Sequence, residues 1–165
     1  MADMDFYSAD PVLEESVSNV TATNSVKLGA RCIYKAEEYV YCYNGGSEQI
    51  SQNKGVKALT GASGYTVTVS SVTDSVNPCV GVAKNATITT GAYGWIMVKG
   101  YTSVNVVTAT TSDHVALALG ADGKFVNHAP LTDAVHVGTY NVCGYGLNVN
   151  TGAGGSVYAK IVGDQ

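Results

Sequence analysis

Residues 94–100 have the sequence Gly-Trp-Ile-Met-Val-Lys-Gly, a nearly continuous apolar run with a glycine at each end. A run this short, with such flanks, favours a buried core strand over a helix. A second stretch, Tyr65-Thr66-Val67-Thr68-Val69, alternates strictly along its length. This period of two is typical of a strand with one buried face. The two stretches together predict β structure.

Short runs rich in tyrosine and β-branched residues recur on both sides of these stretches, at a spacing of roughly ten residues. Many short strands at such a spacing, joined by turn dipeptides such as Asp122-Gly123, are typical of a sandwich or barrel. Lys35–Glu38 is expected to form a polar hairpin connection, and Asn44–Ser47 a loop. Residues 115–119 are predicted as a strand, although their Ala-Leu-Ala-Leu would also tolerate a helix. The further predicted strands are Arg31–Tyr34, Tyr39–Tyr43, Val104–Val107, Val135–Val137, Tyr140–Cys143, Leu147–Val149 and Val157–Val162.

The first 26 residues differ from the rest of the 165-residue chain because they are acidic and contain no glycine. They are predicted to be an extended N-terminal arm, 1–26, ahead of one β-rich domain, 27–165. The arm is expected either to be a disordered tail or to become ordered on a neighbouring subunit. Asp10-Pro11 could open one helical turn within it. The predicted fold class is all-β, a single β-sandwich or barrel-like domain with an extended N-terminal arm.

The charge of the chain is low and unevenly placed. Charged residues make up 13% of the sequence, and the net charge is −4. Five of the 13 acids lie in residues 1–26, which have no lysine or arginine, so eight acids face nine bases in the remainder. The basic residues form no cluster of the kind that phosphate binding needs, so nucleic acid is not expected as a partner. So few charges favour packing against further copies or another protein.

Neither a signal peptide nor a membrane span is predicted, because the start of the chain is acidic and lacks an apolar run. Synthesis in a reducing cytosol is therefore expected, and free buried thiols with it. The four cysteines concerned are Cys32, Cys42, Cys79 and Cys143.

No catalytic, cofactor-binding or metal-binding residues are predicted. The histidines His114, His128 and His136 fit no zinc spacing, and no CxxC or HExxH motif occurs. Neither Cys79 nor Cys143 is flanked by a lysine, arginine or histidine that would lower the pKa of a nucleophilic thiol.

Two glycine-rich stretches and one pair of glutamates also lack the neighbouring residues that phosphate binding or catalysis would need. Gly144-Tyr145-Gly146 lacks the later glycine of a dinucleotide loop, and residues 152–155 lack the Lys-Ser/Thr of a P-loop. Glu37-Glu38 is expected to be a solvated hairpin tip rather than a glycosidase pair. The chain is therefore not expected to be an enzyme.

Tyrosine is the one unusual excess, with 11 residues beside a single tryptophan, Trp95. Tyrosine is favoured at protein contact surfaces because a rigid amphipathic ring gives a large contact area at little entropic cost. It also lines sugar-binding clefts, and it occupies strands through β-propensity alone. Trp95 is expected to be buried in its apolar strand, which argues against a sugar-binding platform.

Several phrases resemble small structural proteins of tailed bacteriophages, as a class the capsid decoration or cement proteins. They are Leu28–Arg31, Glu38–Asn44, Gly81–Ala83, Thr87–Gly91, Tyr93–Gly100 and Ala118–Val126. The resemblance covers about residues 28–126 and consists of strand and turn residues, so it carries no information about catalysis.

The resemblance implies a mechanical role on the virion. Such a protein is made in the host cytoplasm, binds the outer surface of the phage head, and bridges neighbouring capsomers to stabilise the shell. The expected partners are the major capsid protein and further copies of the chain, in a homo-oligomer expected to be a trimer. Alternatives are another virion component, such as a tail or head fibre protein, and a carbohydrate-binding surface module.

Overall fold

The computed structural model describes residues 17–24, 26–59, 61–62, 65–69, 79–107, 115–127, 142–148 and 155–162. Within these ranges the chain is almost entirely β structure, so the predicted all-β class is confirmed. Its strands are β1 (Arg31–Tyr34), β2 (Glu37–Asn44), β3 (Gly55–Ala58), β4 (Thr66–Thr68), β5 (Cys79–Val82), β6 (Tyr93–Asn105), β7 (Ala116–Leu119), β8 (Phe125–Asn127), β9 (Val142–Gly146) and β10 (Ser156–Val162).

Five of these strands close into a barrel in the order β2, β4, β3, β5 and β6. β2 lies parallel to β4 and antiparallel to β6, and the pairing of β2 with β6 closes the ring. All the other neighbours in the ring are antiparallel. Closure leaves these strands without the free edges that would invite pairing with other chains.

The barrel interior is filled mostly by small and β-branched side chains. β2 contributes Val40 and Cys42, and β6 contributes Ile96 and Val98. Such residues suit the narrow lumen of a small barrel, where there is room only for side chains. Among the described residues, the buried interior positions are Val40, Cys42, Ile50, Val56, Val67, Val69, Ala83, Ile88, Ala92, Ile96 and Val98.

β6 continues beyond the barrel into a second sheet with the order β6, β10, β9, β7 and β8. A bridge between Val106 and Phe125 brings β8 back beside the end of β6. The inner face of this sheet packs against the outer wall of the barrel and forms a second core. The buried residues of that core are Val17, Cys32, Tyr39, Cys79, Val82, Met97, Val104, Val106, Leu117, Phe125, Val157, Ala159 and Ile161.

β6 contributes to both cores because its facing changes at a β-bulge. Met97 and Lys99 pair with consecutive residues of β2, which leaves Val98 as an extra residue. Before the bulge the odd-numbered Met97 points into the second core, whereas beyond it the even-numbered Val104 does. A bulge of this kind bends a strand and moves it from one layer to the next.

The bend is completed by Gly100, which has a φ of 141°. Glycine adopts this conformation far more readily than other residues. The sequence predicted two strands here, Gly94–Gly100 and Val104–Val107, with the glycine as a boundary. That division was wrong, because the chain bends at Gly100 and continues as the single 13-residue strand Tyr93–Asn105.

Two hairpins turn through two residues with positive φ, the backbone pattern that matches the twist of the adjoining strands. Asp122 and Gly123 have φ values of 56° and 66°, so the predicted turn is confirmed. Between β1 and β2, Lys35 and Ala36 have φ values of 48° and 63°. The predicted connection Lys35–Glu38 was too long, because its two glutamates pair with other strands as the first residues of β2.

The described part of the N-terminal region, residues 17–24, lies against the β domain. Val17 is 2% exposed within the second core. Thr21 exchanges backbone hydrogen bonds of 3.0 and 2.8 Å with Tyr93 of β6. The domain boundary after residue 26 stays a prediction, and the helical turn expected at Asp10-Pro11 lies outside the described residues.

The end of the chain follows the prediction in part. β10 confirms the strand expected at Val157–Val162, and β7 confirms a strand rather than a helix in residues 115–119. The strand expected at Leu147–Val149 was wrong for Leu147 and Asn148, which lie beyond the end of β9. Val135–Val137 and residues 140–141 lie outside the described ranges.

Candidate interaction surface

Three tyrosines stand on the outward face of the second sheet. Tyr101 on β6, Tyr145 on β9 and Tyr158 on β10 are 46%, 42% and 48% exposed. Lys160 lies among them, because it pairs with Tyr101 on one side and with Tyr145 on the other. Directly paired residues and alternate residues of one strand share a face of the sheet, so all four side chains point outward together.

Strict alternation builds this face. On β10 the exposed residues Ser156, Tyr158 and Lys160 alternate with the buried Val157, Ala159 and Ile161. On β6 the same alternation begins only after the bulge, where Tyr101 and Ser103 are exposed and Thr102 and Val104 are buried. We call the outward side chains of Lys99, Tyr101, Ser103, Tyr145, Ser156, Tyr158 and Lys160 the tyrosine face.

The rings of Tyr101 and Tyr158 stack on one another across β6 and β10. Their centroids lie 6.3 Å apart, and their planes differ by 15°. A pair of this kind is worth about 0.5–1.5 kcal/mol beyond the area that it buries. Since each residue remains nearly half-exposed, the stacked pair is held in place while nearly half of its area is open to a partner.

The tyrosine face carries positive charge at its two lysines, and one acid, Glu38 of β2, lies directly across the ladder from Lys99 and is ion-paired with Arg31. Lys99 and Lys160 are exposed, and neither has an acidic partner among the described residues. Asp122 is the one acid in the described residues of the second sheet and its connections, and it forms a 2.6 Å ion pair with Lys54 of the barrel. The face therefore suits an acidic partner with polar groups for the tyrosine hydroxyls.

A half-buried polar network supports the bend beneath this face. Lys84 forms an ion pair with Glu37 and donates a 3.1 Å hydrogen bond to the carbonyl oxygen of Tyr101. Glu37 also accepts a 2.6 Å hydrogen bond from the hydroxyl of Tyr39. The expectation that Glu37-Glu38 is a solvated tip was wrong, because both are β2 residues and Glu37 is held from two sides.

A second aromatic cluster lies on the outer wall of the barrel. The rings of Tyr41 and Trp95 meet edge to face at 5.2 Å, and those of Tyr43 and Tyr93 lie 4.8 Å apart. Thr21 from the N-terminal region covers this cluster, with its hydroxyl 3.2 Å from that of Tyr41. Trp95 is half-buried rather than fully buried as expected, and it packs against the second core instead of forming an open platform.

Buried thiols account for the cysteines that the structure describes. Cys32, Cys42 and Cys79 are buried and are thiols rather than disulfides, which confirms the prediction for these three. Burial raises the pKa of Cys32 to about 11 and that of Cys42 to about 12. The thiolate is the nucleophile, so these two thiols are poorly suited to covalent chemistry. The side chain of Cys143 lies outside the described residues.

No metal site is found among the described residues, where no group of three or more candidate ligands converges. His114, His128 and His136 all lie outside those residues. Across the same part of the chain, no helix has the length and apolar character needed to span a membrane.

No protein-family model matches the chain. No curated protein sequence matches it. Among solved structures, the fold is similar to that of the head fibre gp8.5 N base of bacteriophage phi29. That match has a TM-score of 0.49 and 11% sequence identity, and it covers 74% of this chain and 92% of the other.

Sequence reasoning identified the tyrosine excess but not the tyrosines that form the face. The signal for β10 lay in the alternation of Ser156, Tyr158 and Lys160 with aliphatic residues. The corresponding signal at Tyr101 was missed, because Gly100 was taken as the end of a predicted strand, so that Tyr101 fell between two predicted strands.

Proposed function

We propose that this protein is a capsid decoration protein that binds the outer surface of a phage head and bridges neighbouring capsomers. The observation that carries the proposal is the tyrosine face, a sheet surface with three exposed aromatic rings. Tyrosine is enriched where proteins contact one another. The phrases that resemble cement proteins lie mainly in the barrel, which would serve as the scaffold for this surface.

The proposed role is mechanical and needs no catalytic group. Many copies on one shell would add interface area between capsomers, and weak single contacts are sufficient when they are linked in an oligomer. The described residues are consistent with this role, since the thiols of Cys32 and Cys42 are held protonated and the exposed side chains are suited to binding. Copies of the chain are proposed to associate as a trimer.

The test is to mix the purified protein with empty phage heads and measure what pellets with them. We expect the wild type to coat heads to saturation and to raise the temperature at which they rupture. Replacing Tyr101, Tyr145 and Tyr158 together by alanine should abolish coating, while the loss of the stacked ring pair lowers the unfolding midpoint without unfolding the protein. Ile33→Ala is the matched control, because Ile33 is also exposed (44%) but lies on β1, two strands from β6.

Two results would contradict the proposal. Wild-type protein that ignores heads, or that gold labelling places on the tail or a fibre, would assign it to another virion component. A saturable oligosaccharide bound through the same tyrosines would favour the second candidate, a carbohydrate-binding module. The exposed ring pair of Tyr101 and Tyr158 is the observation that supports this candidate.

A further inference from the structure

We infer that the tyrosine face is the docking site for the acidic N-terminal segment, residues 1–16, of a second copy of the chain. The inference rests on the proposed function in its premise that copies associate. It goes further by assigning the tyrosine face to contact between copies, so that the triple tyrosine variant is expected to lose coating because its oligomer fails to form.

Charge complementarity is the first argument. Residues 1–16 carry five acids and no lysine or arginine, whereas the tyrosine face carries Lys160 between its tyrosines and Lys99 at its edge, where the only adjacent acid among the described residues, Glu38, is already ion-paired with Arg31. Neither lysine has an ion-pair partner within the described residues. The tyrosine hydroxyls can donate hydrogen bonds to carboxylates, and the rings can cover the apolar members of the segment. Those apolar members include Phe6, Tyr7 and Val12, and the acids are Asp3, Asp5, Asp10, Glu14 and Glu15.

The position of the first described residue is the second argument. Val17 is buried in the second core, on the inner side of the second sheet. The tyrosine face is on the outer side of that same sheet. A segment that stayed on its own copy would have to pass around the edge of the sheet, whereas a neighbouring copy can present its outer side directly.

Residues 1–16 are long enough to reach the tyrosine face of a neighbouring copy. Sixteen residues can extend across roughly 55 Å, while a chain of this length has a radius of gyration of about 15 Å. A segment on one copy that binds a different surface on the next gives a head-to-tail contact. Contacts of this kind close into a ring when the rotation between copies allows it, and a trimer is one such ring.

The test uses full-length protein without phage heads, so that its outcome is independent of head binding. Unlabelled and ¹⁵N-labelled protein are mixed at the highest soluble concentration and treated with a carbodiimide, which joins lysine amines to carboxylates without a spacer. Mass spectrometry then identifies linked peptides and their isotopes. We expect links between Lys99 or Lys160 and the acids of residues 1–16, with the two isotopes mixed.

Variants in which the charge of the two lysines is reversed provide a second test. The double variant Lys99→Glu/Lys160→Glu cannot form these links, so it is assayed by light scattering, where the oligomer should weaken by about tenfold or more because like charges then face each other. Adding Asp3→Lys/Asp5→Lys/Asp10→Lys should restore the oligomer. The matched control Lys27→Glu/Lys124→Glu makes the same change in net charge elsewhere and should leave association unchanged.

Three results would overturn the inference. They are links confined to a single isotope, wild-type protein without links from residues 1–16 to the tyrosine face, and a charge-reversed variant that is folded and associates normally. Mixed links in protein that does not coat heads would instead reject the proposed function and leave the inference standing.

Discussion

Gly100 lies directly beneath Glu37, so that a Cβ atom at position 100 would stand 2.8 Å from Cγ and 3.1 Å from Cβ of the glutamate. This contact joins two structural features of the protein. One is the bend that carries β6 from the barrel into the second sheet, and the other is the ion pair between Glu37 and Lys84. Because residue 100 has no side chain, β6 can pass close to Glu37. This close approach sets the position of the part of β6 that bears Tyr101.

Gly100→Ala should destabilise the protein by about 2–4 kcal/mol, because it combines an unfavourable φ of 141° with displacement of Glu37. Urea unfolding measures the loss. Gly61→Ala is the control, since Gly61 also has a positive φ (80°) but a Cβ there would meet nothing within 4 Å. Equal losses in the two variants would show that packing against Glu37 contributes nothing.

Ala36→Gly should stabilise the protein by about 0.5–1 kcal/mol, because Ala36 holds a φ of 63° that glycine adopts without strain. The change leaves Lys35 in place, with its ammonium group 5.0 Å from the centre of the Tyr34 ring. Ala58→Gly, at an exposed position in β3, should instead destabilise by a similar amount. A lower urea midpoint for Ala36→Gly would contradict this account of the turn.

The all-β class and most strands could be predicted because alternation and turn dipeptides are local signals. Val157–Val162 and Asp122-Gly123 show this, since each is decided by its own residues and immediate neighbours. The course of β6 could not be predicted, because a glycine that ends a strand and one that bends it look alike in sequence. The distinction depends on Glu37 and on the register with β2, which are tertiary features.

The candidate surface was predictable only as a composition. An excess of tyrosine indicated a contact surface, but Tyr39 and Tyr41 are buried whereas Tyr101 and Tyr158 are exposed. Exposure of the last pair depends on the change of facing at the bulge and on the pairing of β10 with β6. Lys160 lies among the tyrosines because β10 pairs with β6, and no local sequence pattern reveals that pairing.

Alkaline pH should destabilise the protein from about pH 9 upward. Burial raises the pKa of Cys42 from 9.0 to about 12, so the folded state keeps a proton that the unfolded state has lost. Stability from this thiol is therefore complete below pH 9 and declines by about 1.4 kcal/mol per pH unit as the pH rises toward the folded value. Cys32 and Tyr39 act in the same direction, because burial also raises the pKa of each.

The measurement is the urea unfolding free energy at intervals between pH 8 and 11. Cys42→Ala should lower the unfolding free energy at pH 8, because it leaves a small cavity. Above pH 9, however, the unfolding free energy of this variant should fall less steeply with pH than that of the wild type, because one fewer proton is released on unfolding. Thr102→Ala, at another buried position, is the control and should keep the wild-type slope. Identical slopes for the Cys42 variant and the wild type would show that this thiol does not titrate upon unfolding.

The buried side chain of Asn44 should be among the most sensitive polar groups of the barrel. It is 0% exposed, and its amide nitrogen donates to the carbonyl oxygens of Glu48 at 2.9 Å and Ile88 at 3.0 Å. Its oxygen accepts a 3.1 Å hydrogen bond from the backbone nitrogen of Gly46. The sequence placed this residue in a loop, whereas it ends β2 and ties together the segments that follow β2 and precede β6.

Asn44→Ala should cost about 1–3 kcal/mol, because it removes the side-chain partner of the Gly46 backbone nitrogen and the Glu48 carbonyl oxygen. The carbonyl oxygen of Ile88, in contrast, keeps its hydrogen bond from the backbone nitrogen of Ile50. Asn44→Asp should cost more at neutral pH, since a carboxylate would face two carbonyl oxygens, and this extra loss should be recovered as the pH falls toward 4, because burial raises the pKa of the carboxyl group above that in the unfolded chain. Unfolding in urea at pH 7 and at pH 3.5 measures both effects. Asn19→Asp, at an exposed position, corrects for the general effect of an added charge. If both aspartate variants respond alike to pH, the amide of Asn44 is not the link between these segments.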